Sequence, residues 1–260
     1  MVCIALTHGS THASSLLGET SRIPAGAWTA IDARPKAACS TFSVRGARCL
    51  PAQNLVASKG PGKDQLVSFY HMLWLLGSLG VSEREHVVVF AESQGDAYAL
   101  GALLFLVGHS KVSVWTDSVE RLLETADTGP GRTRGVLRTQ YWAAPVREEF
   151  IALASELDAL MESDWGLMTG PTAMDAARVV VAGANPVRVL ERFGRLVAAS
   201  AEASADRLRL VVDPMDTTTP ALRRASSPSS SVSPQLLGVL LLLVALFCIG
   251  AATWIRSRAQ

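Results

Sequence analysis

The chain has 260 residues, with 24 Lys and Arg against 23 Asp and Glu, and a formal charge of +1 that gives no electrostatic drive toward nucleic acid. That length is enough for one large domain or two small ones with a real core. Apolar residues make up 49% of the chain, and much of the surplus falls near its end, so the composition describes a globular part plus a membrane segment.

Residues 1–13 read as an N-terminal segment without a basic run followed by an apolar stretch, so no secretory signal is expected there. His8 and His12 are four apart, but Gly9 and Ser10 disfavour a helix between them; a surface loop is expected, and no metal site. Trp28–Asp32 then reads as a strand, Gln65–Leu79 as an amphipathic helix, and His86–Phe90 as a strand of β-branched residues. Ala97–Val107 is the next helix and Lys111–Trp115 the next strand, with Gly80 and Gly108 placed as helix caps. Such alternation predicts an α/β fold, a parallel sheet covered by helices.

Beyond it, Arg147–Met161 has helical spacing, Arg178–Ala182 and Arg207–Asp213 read as strands, and Pro186–Ala203 as an Ala-rich helix. The expected organisation is a first α/β domain over 14–142 and a smaller α/β unit over 143–216. Asp213 and Asp216 stand close together after a strand, a pairing that suits acid–base catalysis but that a strand-ending turn explains more cheaply. Residues 217–235, rich in Ser, Thr and Pro, should be a solvated linker; within it Arg223 to Ser226 has the pattern of a basophilic kinase site, but a basic pair near lipid headgroups explains it as well and is the plainer reading.

Residues 236–255 carry no charge over about 20 positions, the length of helix that crosses a hydrocarbon core, with Trp254 as an interfacial anchor. Only Arg256 to Gln260 follow, so a tail anchor and a cytoplasmic globular part are expected, with the lipid bilayer as partner through 236–255. The cysteines stand at 3, 39, 49 and 248, with no CxxC pair, and reduced thiols are the expectation for a cytosolic domain.

Val87 to Leu100 has a strand running into a polar loop with one glycine and then an apolar helix, a junction that often holds an anion. Together with Asp32 and Arg34, with Gly46 and Ala47 in the segment 43–47, and with Gly80–Val81 and Gly108–His109 in the same order, this resembles the rhodanese-like (thiosulfate sulfurtransferase) family over about residues 14–123. The likeness is greatest to the non-catalytic N-terminal half of its two-domain members. The family's reaction carries sulfur as a cysteine persulfide on the loop after the central strand, where backbone N–H groups stabilise the thiolate. Ala91 stands at that position and cannot accept sulfur.

The remainder of the loop, Glu92, Ser93, Gln94, Gly95, Asp96 and Ala97, adds two carboxylates that would each repel an anionic donor by ~1 kcal/mol at 4 Å in water-like screening. Ser93 has no visible base. Cys39 and Cys49 are the remaining sulfur-carrying candidates, although small buried roles fit them better. Asp32 and Arg34 are expected to pair locally at the strand end. The sequence therefore predicts a membrane-anchored rhodanese-like protein without its catalytic cysteine, acting in binding or regulation, with a protein partner at 91–97 and no cofactor. The alternative is a sulfurtransferase that uses Cys39 or Cys49.

Overall fold

The computed structural model describes residues 17–58, 64–82, 84–133, 144–169, 178–200 and 206–212. The first part runs β1 (Leu17–Thr20), β2 (Trp28–Asp32), α1 (Lys36–Thr41), β3 (Ser43–Val44), β4 (Arg48–Cys49), β5 (Val56–Ser58), β6 (Asp64–Leu66), α2 (Phe69–Leu79), β7 (His86–Phe90), α3 (Gln94–Leu106), β8 (Val112–Trp115), α4 (Val119–Thr125) and β9 (Thr128–Gly129). The second runs β10 (Ile151–Leu153), α5 (Leu157–Met161), β11 (Gly166–Met168), β12 (Val179–Val181), α6 (Pro186–Ala199) and β13 (Leu208–Val212).

Strands β1, β8, β7, β2 and β4 form a five-stranded sheet in that order, every neighbouring pair parallel. A smaller parallel sheet has the order β10-β13-β12-β11. Two short antiparallel ribbons pair β3 with β9 and β5 with β6. Strand β7 lies in the middle of the large sheet, and Val87 to Phe90 are fully buried, which is why it reads as an unbroken apolar run rather than an alternation. Val87 and Val89 enter one core while Val88 and Phe90 enter the other, on the opposite face with Trp115, Val119 and Leu122.

Helix α3 is apolar on all sides because it is covered on all sides: every residue from Ala97 to Val107 is buried. The main core joins Val87, Val89 and Leu103 to Val181, Leu208 and Leu210 of the smaller sheet. Phe105 of α3 meets Phe150 edge-on with ring centroids 5.0 Å apart, and Phe193 of α6 lies 6.2 Å from both rings.

The helix expected over Gln65–Leu79 is corrected at its start. Gln65 and Leu66 pair with Ala57 and Val56 in a ribbon, and the helix begins after Ser68, whose hydroxyl accepts from the His71 N–H. The helix expected over Arg147–Met161 is corrected more deeply. Phe150 turns into the core, Ile151–Leu153 forms an edge strand of the small sheet, and only Leu157–Met161 is α-helical. Arg147 takes no part in a helix either; its guanidinium lies 4.2 Å from the Phe105 ring centroid and donates to the carbonyls of Phe105 and His109. Gly80 and Gly108 do terminate helices, with φ of 69° and 86°.

Among the described residues no helix is long and apolar enough to cross a membrane, and the expected span at 236–255 lies outside them. Cys3, His8, His12, Asp213, Asp216, Cys248 and the 217–235 linker also fall outside the described residues.

Candidate functional site

The loop after the central strand begins where β7 ends at Phe90. Ala91 is buried, Glu92, Ser93 and Gln94 are exposed, and α3 starts at Gln94 with Ser93 as its cap residue. The Ser93 side chain makes no capping hydrogen bond; its carbonyl accepts from the N–H of Asp96 at 3.0 Å and of Ala97 at 3.3 Å, closing the first turn. The Gln94 amide donates to the Thr116 carbonyl at 2.6 Å and ties the loop to the segment after β8.

Behind the loop stands a buried ion pair. Arg34 donates to both Asp32 oxygens, the closest contact being 2.7 Å, and to the Phe42 carbonyl at 2.7 Å. The Ser43 hydroxyl donates to the same carboxylate at 2.6 Å. Asp32 and Ser43 are fully buried, so this network leaves no bare charge in the interior. Its guanidinium lies 5.8 Å from the Phe90 ring centroid, and the Ala33 N–H donates to the Phe90 carbonyl at 2.8 Å, which fixes where Ala91 begins. Gly46 turns the chain between β3 and β4 with φ of 72°, and Ala47 packs into the same core as Phe90.

What lies over the loop comes from α6. A Cβ built on Gly95 would stand 2.7 Å from the Glu191 carboxylate, so Glu191 presses directly on the second residue of α3. Arg188 donates to one Glu191 oxygen at 2.6 Å and Arg195 to the other at 3.2 Å. The Arg195 guanidinium also sits 4.4 Å from the centre of the Tyr98 ring, whose hydroxyl donates to Glu19. Burial and that carboxylate push the Tyr98 phenol up to about 12. Asp96 faces Arg188 and Glu191 at the same place, and a concavity of about 420 Å³ beside it is also lined by Gln53, Asp64 and Asn185.

A loop running into a helix N-terminus suits a negative group, and here the Glu191 carboxylate, held by two arginines, packs against Gly95 in the first turn of α3. Sequence reasoning did not find Glu191, Arg188 or Arg195. The i–3 and i+4 arginines around Glu191 were legible as a helical ion cluster, but nothing local says that this cluster faces Gly95.

The expectation of free cysteines is corrected. Cys39 of α1 and Cys49 of β4 form a disulfide with their Cα atoms 5.7 Å apart. Their ten-residue separation matches no motif; it is the α1–β3–β4 turn that brings them together. Both are buried, at 0% and 6% exposure, and a Cβ on Gly131 would lie 2.5 Å from one sulfur and 2.7 Å from the other. The pair lies apart from the 91–97 loop in the chain's architecture, on β4 at the edge of the sheet rather than on β7 at its centre.

No family model matches the sequence, and no curated protein sequence matches it. Solved structures do. SseA from Escherichia coli, a 3-mercaptopyruvate sulfotransferase described with the rhodanese fold, is similar over 54% of this chain and 57% of its own, at 18% identity and a TM-score of 0.45. YnjE is similar over 55% of this chain and 35% of its own, at 16% identity and a TM-score of 0.44. A variant of EanB in complex with hercynine is similar over 74% of this chain and 62% of its own, at 12% identity and a TM-score of 0.51. The fold is rhodanese-like. At 12% identity the likeness to EanB speaks for fold alone. The rhodanese-like part and its second sheet match less than two thirds of the length of each of these proteins.

Proposed function

We propose that the protein is a rhodanese-like module that has given up sulfur transfer and works by binding or regulation, held at a bilayer through residues 236–255. The observation that carries this is the pairing of Ala91, at the nucleophile position of the resembled loop, with the Glu191 carboxylate seated on Gly95. Chemistry there would need both a thiolate and room for an anionic donor. The loop supplies neither.

The exposed rim, Glu92, Ser93 and Gln94, then becomes a contact surface for another protein. Asp64 and Asp96 line the adjoining concavity, and Arg188 within it is already bonded to Glu191, so the partner chemistry that fits is a cationic side chain. The part of the family's two-domain members that this chain corresponds to is, on this reading, the non-catalytic half.

The decisive measurement is cyanide-dependent thiocyanate formation from thiosulfate, run on the full chain with and without reductant. The wild type is expected to give no turnover. Ala91→Cys should stay inactive or nearly so, and Ala91→Cys with Glu191→Ala should gain activity once that carboxylate is gone. Wild-type turnover that vanishes in Cys39→Ala/Cys49→Ala would instead establish the sulfurtransferase reading. Membrane attachment is checked separately: the chain should stay in the pellet through a carbonate wash and be released when 236–255 is deleted.

A further inference from the structure

At the opposite end of the five-stranded sheet from the Ala91 loop, the chain forms a second concavity, of about 610 Å³. One side is apolar, with Ile23, Trp28 and Ala126; the other carries Arg45, Arg48 and Arg132. The three guanidinium groups are not equivalent. Arg45 is bonded to Asp127 at 2.8 Å, an exposed pair that neutralises both partners. Arg48 donates one terminal N–H to the Gly46 carbonyl at 3.1 Å, while its Nε is buried without a hydrogen-bond partner among the described residues.

Arg132 is exposed, and its backbone is bonded to that of Ala47 and Cys49, which holds its side chain on the strand beside Arg48. Burial, and after it the charge of Arg132, lower the Arg48 pKa, with Glu85 pulling the other way. Two like charges have thus been placed side by side at a wall that includes an indole. Glu85 only partly offsets them, its pull on Arg48 being weaker than the push of Arg132. An anion between the two guanidinium groups, held by their terminal N–H groups, would remove the repulsion.

We propose that this concavity binds a small organic anion, its oxygens bridging Arg48 and Arg132 and its apolar body lying against Trp28 and Ile23. The site is independent of the 91–97 loop and of whatever that loop does.

Calorimetric titration of the full chain in detergent tests it, with phenyl phosphate and benzoate as probes, phenol and benzylammonium as neutral and cationic controls, and inorganic phosphate as the control without a body. One of the two aryl anions should saturate, and whichever is tighter assigns phosphate or carboxylate as the recognised group. Arg132→Gln and Arg48→Gln should each weaken that binding by about tenfold or more, as expected for a lost charged hydrogen bond. Because Arg132 is exposed, its variant keeps the melting temperature of the parent and serves even where Arg48→Gln fails to fold. Absence of saturation by either aryl anion, equal binding of phenol, or binding unchanged in Arg132→Gln would overturn the site. Inorganic phosphate binding as tightly as phenyl phosphate would overturn the role given to the indole wall.

Discussion

Asp96 sits in the first turn of α3, where a carboxylate ordinarily gains from the helix N-terminus. Here its pKa is raised, first by burial and further by Glu191, with Arg188 opposing. A carboxyl whose pKa is higher in the folded state binds its proton more tightly there, so its contribution favours folding at acid pH and is lost as pH rises through the raised value. Asp96→Asn should therefore melt higher than the parent at neutral pH, with the gap closing below about pH 4, near the ordinary aspartate value. Thermal melts of the two proteins across that range check the sign; a variant less stable at neutral pH would mean that the helix dipole outweighs the desolvation. At this scale much was legible. The Asp32 and Arg34 types were read as a local pair from two residues at a strand end, and Ala91 as the residue that follows the central strand. Glu191 was not, since a carboxylate on a surface-like helix face carries no mark of the glycine it will meet in another element.

Helices α3 and α6 meet through a different glycine. A Cβ on Gly194 would lie 2.5 Å from the Tyr98 carbonyl oxygen and 3.1 Å from the Ala102 Cβ, so the two backbones are in close contact there. This is what lets α6 bring Glu191 down onto Gly95 one turn earlier. Helix propensity alone would make Gly194→Ala stabilising by up to ~1 kcal/mol. The clash with a carbonyl oxygen, which cannot rotate away, is expected to reverse that and give a net loss of about 1–3 kcal/mol. Urea midpoints of the two proteins measure it, and a stabilised variant would show that α6 stands further off. Elements with one dominant signal were legible here: β2 and β7 match their apolar runs at both ends, and Pro186 with Asn185 before it marks the start of α6. The region from Arg147 to Met161 was not, because Phe150, Leu153 and Leu157 stand at helical spacing while Phe150 and Ala152 alternate as in a strand, and only pairing with β13 decides between them.

Across the whole molecule, the Cys39–Cys49 bond ties α1 to the edge of the large sheet. Closing a loop of that size is expected to be worth about 2–3 kcal/mol. Comparing urea midpoints of the oxidised chain and Cys39→Ala/Cys49→Ala checks the figure, and equal midpoints would mean that packing of the two side chains does the same work unbonded. A parallel sheet was legible from the alternation of strands and helices, which marked β2, β7 and β8, while the short strands β1 and β4 carried too few residues to show a pattern. The bond was not, because nothing in the spacing of two cysteines ten apart distinguishes neighbours across a turn from strangers.

That bond also carries a history. Both sulfurs lie close beneath Gly131 in residues that are 0% and 6% exposed, so an oxidant reaches them most readily before the chain that follows β9 settles over them. Whether the purified protein arrives with the bond made or with two sheltered thiols is therefore a record of the compartment in which it folded, written at that moment and hard to rewrite afterwards.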